Sequence, residues 1–320
     1  MEYCGQDSKT DLEKYYCYEA VDRVSRDAET TRFKRRARLN QALWREAHSF
    51  PAGTQPMRPR PGRDSRPLGS RIDLDFAHAT GANFLTEAAR NAAHLRVTNS
   101  EPKQTLNVDR LYSDLLSSMP MCFNLFGSLS EDLSFAEKVL KAWWPNTPGT
   151  VRAVRFEWSP GRQLQGRYLE NRSAFDVAFE LQLEDGGLGL VGLETKYHED
   201  CRPESVPSEW RLRRYKKVTE DSGVFQAGAM DAIIGERLQQ IWLDHLLALS
   251  MLQDKICPWK WVKFLVVYPS DNVSFARATE DYSKLLVNDS TFGAVTIESL
   301  LENTMFSKED VFSFRERYFW

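Results

Sequence analysis

Hydrophobic and polar residues alternate along residues 173–199, on both sides of a glycine pair at positions 186 and 187. Period-two alternation around a glycine-bearing loop predicts a β-hairpin. Because successive side chains of a strand point to opposite faces, one face of this hairpin is predicted to be apolar core. Its members are Phe175, Val177, Phe179, Leu181, Val191 and Leu193. The opposite face carries Asp176, Glu194 and Lys196 beside the small residues Ala174, Ala178 and Gly192.

The charged face of the hairpin is the candidate site. A turn centred near the two glycines places Asp176 opposite or diagonal to Glu194 and Lys196, and diagonal neighbours in a sheet lie about 7–8 Å apart. Two carboxylates at that separation favour a cation between them, and Mg²⁺ binds through one or two carboxylates, waters and substrate phosphates. The lysine could then orient a water or stabilise developing charge. The alternative is a solvated face with a weak surface ion pair.

The rest of the chain predicts further elements in a recognisable order. Helical patterns lie at 21–49, 82–98, 108–118, 228–253, 282–286 and 298–303, and strand patterns at 151–158, 261–268 and 294–297. A further helix is predicted from Glu131, capped by Ser130, to Pro145. We therefore expect a mostly helical N-terminal region, residues 1–127, with an Arg/Pro-rich loop at 50–70 that is either a solvated linker or a phosphate-contacting arm. Residues 128–320 follow the order αβββαβ, which predicts an α/β fold.

An aspartate on one strand, followed across a turn by Glu-x-Lys on the next, resembles the active-site pattern of the PD-(D/E)xK nuclease superfamily. The flanking segments 121–127, 157–162, 173–177 and 194–199 resemble its restriction-endonuclease-like branch. The resemblance covers about residue 40 to the C-terminus. It implies a central mixed sheet flanked by helices, with Asp176, Glu194 and Lys196 as catalytic residues. Asp176, Glu194 and the Thr195 carbonyl would hold Mg²⁺, with Mn²⁺ as a plausible substitute.

Relatives in that branch often add a carboxylate and a helix residue to this set. Glu157, at the end of the predicted first core strand, is the favoured extra metal ligand, and Glu137 is the second candidate. Gln240 is the candidate on the long helix, on one face with Arg237 and Asp244, while Leu243 stands where a basic residue is expected. His198 returns to the site face beyond Lys196 and is expected to be a surface residue.

The net charge of −3 does not indicate nucleic-acid binding by the whole chain, so a nuclease would need local basic surfaces. Two groups of basic residues flank the hairpin. The candidates for contact with nucleic acid are Arg162 and Arg172 before it, and Arg211, Arg213, Arg214, Lys216 and Lys217 after it. We expect the second group, which is interleaved with Trp210 and Tyr215, to form a phosphate-lining loop. A purely solvated charge run is the alternative.

Composition excludes several classes. No apolar run approaches the roughly 20 residues that span a bilayer, and residues 1–7 lack the features of a secretory signal. Five scattered cysteines form neither a disulfide framework nor a zinc pattern, so a cytoplasmic protein is expected. The sequence thus predicts a Mg²⁺-dependent deoxyribonuclease, with bacterial restriction or anti-phage defence as the role that the resemblance implies. RNA as substrate, an inactive nuclease fold that binds nucleic acid or a protein, and a homodimer or defence-system partner remain open.

Overall fold

The computed structural model describes residues 9–58, 61–62, 64–99, 106–161, 167–171, 173–257, 259–303 and 305–320. Its strands are β1 (Ala52–Gln55), β2 (Arg66–Ile72), β3 (Thr150–Trp158), β4 (Phe175–Gln182), β5 (Leu188–Thr195), β6 (Trp259–Tyr268) and β7 (Phe292–Thr296). Its helices in the first half are α1 (Lys9–Lys14), α2 (Ala28–Ala47), α3 (Leu74–Thr80), α4 (Glu87–Thr98), α5 (Val108–Ser113), α6 (Ser118–Phe126) and α7 (Leu133–Trp143). Those in the second half are α8 (Glu209–Ser222), α9 (Gln239–Leu252), α10 (Val273–Ser283), α11 (Ile297–Glu302) and α12 (Lys308–Tyr318).

The larger sheet has five strands in the order β3-β4-β5-β6-β7. The pairs β3–β4 and β4–β5 are antiparallel, whereas β5–β6 and β6–β7 are parallel. Helix α7 precedes β3, and α9 lies in the crossover between β5 and β6, as a parallel connection requires. The predicted αβββαβ core with a mixed sheet flanked by helices is therefore confirmed, with β7 as a fifth strand.

Both faces of this sheet are covered. One apolar cluster includes Val177, Phe179 and Val191 and continues into the N-terminal helices, while a second includes Ala178, Leu190 and Phe264 and lies under α9 and α10. The near-continuous apolar sequence of β6 follows from this, because a strand buried on both faces has no solvated side.

Phe175 lies on the opposite face from the one predicted. Its ring belongs to the second cluster and covers Gly192, where a Cβ atom would come within 2.6 Å of the ring. The Phe175 ring therefore fills the space beside the small residue Gly192 on the site face. The alternation changes at the same point on β3, where Glu157 has a left-handed backbone with φ of 49° and Trp158, the pairing partner of Phe175, also packs against the second cluster.

The N-terminal helices share a core with the sheet. Arg317 of α12 is fully buried and donates hydrogen bonds to the backbone and side-chain oxygens of Asn83. Its guanidinium lies 4.5 Å from the ring centroid of Trp44 on α2, and its carbonyl accepts a 2.8 Å hydrogen bond from Gln41. Residues that precede position 128 thus complete the packing of the last helix.

Several predicted boundaries are wrong, each for a local reason. Helix α7 begins at Leu133 because Asp132, not Ser130, accepts the capping hydrogen bond from Phe135. The predicted helix 228–253 begins only at Gln239, since Gly228 and Gly235 have positive φ values that a helix does not accept. The predicted helix at 282–286 shares only its first two residues with α10, and the chain then turns and Leu286 forms an isolated β-bridge with Phe225. In the predicted 50–70 loop, the flanks pair as β1 and β2.

Within the described part of the chain, none of the helices is long and apolar enough to cross a bilayer.

Candidate active site

The three residues of the sequence motif meet where β4 begins and β5 ends. The last ladder pair between these strands joins Val177 to Leu193, which places Asp176 and Glu194 next to each other across the strands. The predicted register of the hairpin is therefore confirmed. The turn spans the five residues between Gln182 and Leu188, and its Gly186 has φ of 78°.

Thr195 connects the two strands beyond the ladder. Its backbone N–H donates to Asp176 Oδ2 at 2.7 Å, and its hydroxyl donates to the same oxygen at 2.6 Å. In the parallel ladder with β6, Lys196 N donates to Val267 O at 2.8 Å. Because neighbouring residues of a strand direct their backbone groups to opposite sides, the carbonyl of Thr195 faces the Asp176 side.

Glu194 is the acceptor for two side chains. Lys196 Nζ donates to Glu194 Oε1 at 2.7 Å, and Gln240 Nε2 of α9 donates to the same oxygen at 3.2 Å. Gln240, the helix residue that the family resemblance implies, therefore contacts the motif directly. These contacts leave Asp176 Oδ1 and Glu194 Oε2 without a hydrogen bond among the described residues.

Glu157 brings a third carboxylate to the same place. It lies across from Asp176 at the end of β3, and its left-handed conformation is uncommon for a residue other than glycine. Arg96 of α4 holds this turn of the chain by donating to the carbonyls of Phe156, at 2.8 Å, and Glu157, at 3.0 Å. Strained backbone of this kind is often found at functional sites.

The carboxylates disfavour one another's charged forms. Burial, followed by the charges of Asp176 and Glu194, raises the pKa of Glu157 to about 8. Burial and the charge of Asp176 raise the pKa of Glu194 to about 7, although Lys196 opposes the shift. Burial also raises the pKa of Asp176. Burial would favour a neutral Lys196, but the carboxylates of Glu194 and Glu199 outweigh it and raise its pKa.

These groups line a cleft of about 410 Å³. Its walls are formed by Arg110, Ser118, Met119, Glu157, Asp176, Glu194, Lys196, Glu199, Asp200, Cys201, Arg202, Glu204, Arg237 and Gln240. A cleft with convergent charged groups and perturbed pKa values is the expected form of an active site.

Arg110 and Glu199 are charged residues of the cleft that were not predicted as site residues. Arg110 of α5 donates to Ser117 Oγ at 2.7 Å and lies 3.5 Å from Glu199 Oε1. Glu199 also accepts hydrogen bonds from the backbone and hydroxyl of Ser118, at 3.2 and 3.0 Å, at the N-terminus of α6. The contacts of Glu199 with Arg110 and Ser118 join residues more than 80 positions apart, so local sequence patterns contain no signal for them. The one sequence feature that could have indicated Glu199 is its position three residues after Lys196, in the order Glu194-x-Lys196-x-x-Glu199.

The segment after Lys196 is fixed by the N-terminal region. Gln41 donates to the hydroxyl of Tyr197 at 2.9 Å, and Lys34 pairs with Asp200 at 2.5 Å. His198 lies 2.9 Å from a carboxylate oxygen of Asp22 and is largely buried, so its expected surface position is wrong. Tyr197 is fully buried, and its ring meets Tyr318 edge to face.

The basic residues after β5 lie on a helix, which corrects the predicted loop. Tyr215, Val218 and Thr219 are the buried residues of α8, so a helical apolar stripe underlies the basic sequence. Arg211, Arg213, Lys216 and Lys217 are exposed, with Arg213 and Lys217 in weak ion pairs on the helix. Arg214 instead donates to the carbonyl of Tyr168 at 2.8 Å.

Glu137, the second candidate for the extra carboxylate, lies outside the cleft. Glu137 on α7 accepts hydrogen bonds from Lys141, at 2.7 Å, and from the backbone of Val151, at 3.3 Å, and it does not line the cleft. Arg162 and Arg172 lie outside the described residues.

The donor set of the cleft suits a hard divalent cation. Free carboxylate oxygens on Asp176 and Glu194, the Thr195 carbonyl and the Glu157 carboxylate are all oxygen donors, which Mg²⁺ and Mn²⁺ prefer. No three Asp, Glu, His or Cys side chains form a ready metal cage within the described ranges. Mg²⁺ commonly takes its remaining ligands from water and substrate phosphate, so a cage is not required.

The mixed sheet, its flanking helices and the carboxylate–lysine cleft define a restriction-endonuclease-like fold. A model of the PD-(D/E)XK nuclease superfamily matches residues 28–320. The chain therefore belongs to this superfamily of nucleases. No curated protein and no solved structure matches the sequence significantly.

Proposed function

We propose that the protein is a metal-dependent nuclease that hydrolyses phosphodiester bonds of DNA. The observation that carries this proposal is the convergence of Asp176, Glu194, Lys196 and Gln240 at the strand ends, inside a cleft. Burial and mutual repulsion disfavour the charged carboxylates, and a bound cation would stabilise them. Membership of the nuclease superfamily supports phosphodiester chemistry.

Each residue has a separate part in the proposed mechanism. Asp176 and Glu194, with the Thr195 carbonyl and Glu157, would hold Mg²⁺ or Mn²⁺. When bound, the cation would acidify a water and stabilise negative charge on the phosphate. Lys196 would position the attacking water through its ammonium group. Gln240 would fix the Glu194 carboxylate, since it donates to the oxygen that Lys196 also uses.

Cationic side chains that flank the acidic cleft support a nucleic-acid substrate, and the resemblance to the restriction-endonuclease-like branch favours DNA. Arg110 and Arg202 line the cleft, and Arg211 and Lys216 of α8 are exposed. Such residues supply the phosphate contacts that a chain of net charge −3 needs locally. Nothing in these contacts reads a base, so they support general backbone binding rather than one sequence.

Cleavage of matched substrates tests the proposal. Duplex DNA, single-stranded DNA and RNA of one sequence are incubated with the purified chain in Mg²⁺ or in EDTA. We expect Mg²⁺-dependent cleavage of DNA, faster than cleavage of RNA. Faster cleavage of RNA would overturn the substrate, and cleavage that persists in EDTA would overturn the metal dependence. An intact set of substrates in Mg²⁺ would favour the inactive nuclease-fold alternative.

We propose restriction or anti-phage defence in bacteria as the biological setting. Its support is the resemblance of four segments around the site to the restriction-endonuclease-like branch. Plating of DNA phages on cells that express the chain, with Asp176→Ala as control, checks it. Protection by the parent and none by the variant is the expected result, and equal plating contradicts it.

A further inference from the structure

Asp244 is a buried carboxylate that the proposed mechanism does not use. The residue is 7 % exposed, and its Oδ2 atom has no hydrogen-bond partner. Buried polar atoms almost always have a partner, so an orphaned carboxylate oxygen marks either a functional role or an exchange of partners. The position on α9 indicates which group could become that partner.

Asp244 lies one helical turn beyond Gln240, on the same face of α9. Gln240 contacts Glu194, so Asp244 lies close behind the same strand end. The charges that act on it agree with this placement. Burial and Glu194 raise the pKa of Asp244 well above its usual value, whereas the nearby charge of Lys196 lowers it.

Lys196 has hydrogen-bond donors that are not used. An ammonium group carries three donors, but Glu194 Oε1 is its one hydrogen-bond acceptor in the described structure. The side chain of Lys196 is only 7 % exposed, and its Nζ lies 5.5 Å from the centroid of the Phe275 ring. A nearly buried cation thus has one carboxylate bonded to it and a second carboxylate nearby with a free oxygen.

We infer that Asp244 is a positioning residue for Lys196: it accepts the lysine ammonium once Glu194 is engaged by a divalent cation. The inference rests on the proposed function, in which Glu194 is a metal ligand. A carboxylate that shares its charge with a divalent ion is a poorer partner for an ammonium, which the same positive charge repels. The flexible stem of lysine allows the ammonium to turn to a second acceptor.

The second acceptor would keep Lys196 charged and oriented inside the cleft. Without Asp244, the other carboxylate that acts on Lys196 besides Glu194 is that of Glu199, whose oxygens already accept hydrogen bonds from Arg110, Ser118 and Tyr197. The ammonium released by Glu194 would then turn toward water. Asp244 would not contact substrate in this arrangement, because it does not line the cleft. Its contribution to catalysis would pass entirely through Lys196.

The Asp244→Asn variant of the full chain tests the inference. We expect kcat to fall about tenfold to a hundredfold, as for other residues that orient an active-site group, with KM within about twofold of the parent. The melting temperature should stay equal or rise, because the amide replaces a buried carboxyl group that has an unpartnered oxygen. A merely structural role would lower the melting temperature instead.

Asp254→Asn is the matched control. This aspartate follows the C-terminal end of α9, has a similarly buried side chain, and pairs with Arg167 away from the cleft. The same chemical change there should lower the melting temperature and leave kcat unchanged. Equal loss of kcat in both variants would overturn the inference.

A double-mutant cycle shows whether Asp244 acts through Lys196. In a Lys196→Ala background, Asp244→Asn should change the residual kcat by less than about twofold. Independent, multiplying losses would overturn the inference. If Asp244→Asn lowers the Mn²⁺ affinity in calorimetry as much as it lowers kcat, Asp244 is a metal ligand, and the inference is also overturned.

The melting temperatures of the same four proteins separate this inference from the proposed function. In Mn²⁺, the effects of the two substitutions should be non-additive, and in EDTA the non-additivity should shrink. A parent that neither binds Mn²⁺ nor cleaves a substrate contradicts the proposed function, and the inference falls with it. If the parent binds Mn²⁺ but the two substitutions have additive effects on the melting temperature in Mn²⁺, the inference is contradicted and the proposed function is not.

Discussion

Asp176 Oδ2 accepts two hydrogen bonds from Thr195, one from the backbone N–H and one from the hydroxyl group. Thr195 is the residue between Glu194 and Lys196, so this contact ties the start of β4 to the middle of the motif on β5. It also leaves Asp176 Oδ1 free on the cleft side. The identity of the middle residue therefore matters to the geometry of the site.

Removal of the Thr195 hydroxyl should weaken this link. In Thr195→Val, Asp176 keeps the backbone donor and loses the side-chain donor, and we expect a loss of about 1–3 kcal/mol in the free energy of unfolding. Denaturant unfolding measures it, and Thr195→Ser, which keeps the hydroxyl group, is the control. If valine and serine give equal stability, the hydroxyl contact does not contribute.

The carboxylate cluster predicts how stability varies with pH. Because the pKa values of Glu194 and Glu157 are raised to about 7 and 8, the folded protein binds more protons than the unfolded chain above about pH 4.5. The contribution of these groups to the free energy of unfolding is fully present at low pH, and it is lost as the pH rises through 7 and 8. In EDTA the melting temperature should therefore fall from pH 5 to pH 8.5.

Added Mg²⁺ should reverse that loss, and its stabilising effect should increase with pH, because the ion binds the deprotonated carboxylates. Glu157→Gln should flatten the pH dependence in EDTA, since its side chain no longer titrates. Thermal unfolding with and without Mg²⁺ provides both measurements. A stability that rises with pH in EDTA, or a Mg²⁺ effect that does not depend on pH, is incompatible with the proposed cluster.

Arg110 should contribute one phosphate contact to substrate binding. It lines the cleft, and Ser117 fixes its guanidinium. We expect Arg110→Gln to weaken DNA binding similarly for all sequences and to reduce the slope of log K against log salt by about one. Binding is measured in EDTA, and Arg90→Gln, an exposed arginine outside the cleft lining, is the control. An unchanged slope would show that Arg110 does not contact phosphate.

The proposed division near residue 128 should not yield an independent C-terminal unit. A fragment of residues 128–320 lacks Asn83 and Gln41, so the buried Arg317 loses its acceptors. It also exposes the part of the apolar cluster that the N-terminal helices cover. We expect an aggregated or partly folded fragment by circular dichroism. Cooperative unfolding of this fragment at a melting temperature near the parent's would contradict the shared core.

Alternation in the sequence was sufficient to predict the hairpin and its register, because both depend on local patterning and a five-residue turn. The placement of Asp176 beside Glu194 followed from that register, and the resemblance to the superfamily, together with helical spacing, pointed to Gln240. These features depend on residues close together in the sequence, or on the regular antiparallel pairing of β4 with β5.

The features that sequence reasoning missed depend on contacts between distant segments or on irregular backbone. The change of face at Phe175 coincides with the left-handed backbone of Glu157 on the paired strand, an irregularity that alternation does not predict. The helix α8 was hidden by its density of basic residues, although Tyr215 and Val218 follow a helical period. The contact of His198 with Asp22 spans 176 positions, and no local pattern predicts it.

Plasmid cleavage by matched variants tests the central claim most directly. Lys196→Ala and Asp176→Ala remove residues of the cleft, while Lys260→Ala and Asp185→Ala make the same changes at a surface ion pair near the hairpin turn. In Mg²⁺ we predict that each cleft variant loses at least about a hundredfold in rate, and that the surface variants match the parent. Cleft variants that cut as fast as the parent would contradict the assignment of this cleft as the active site.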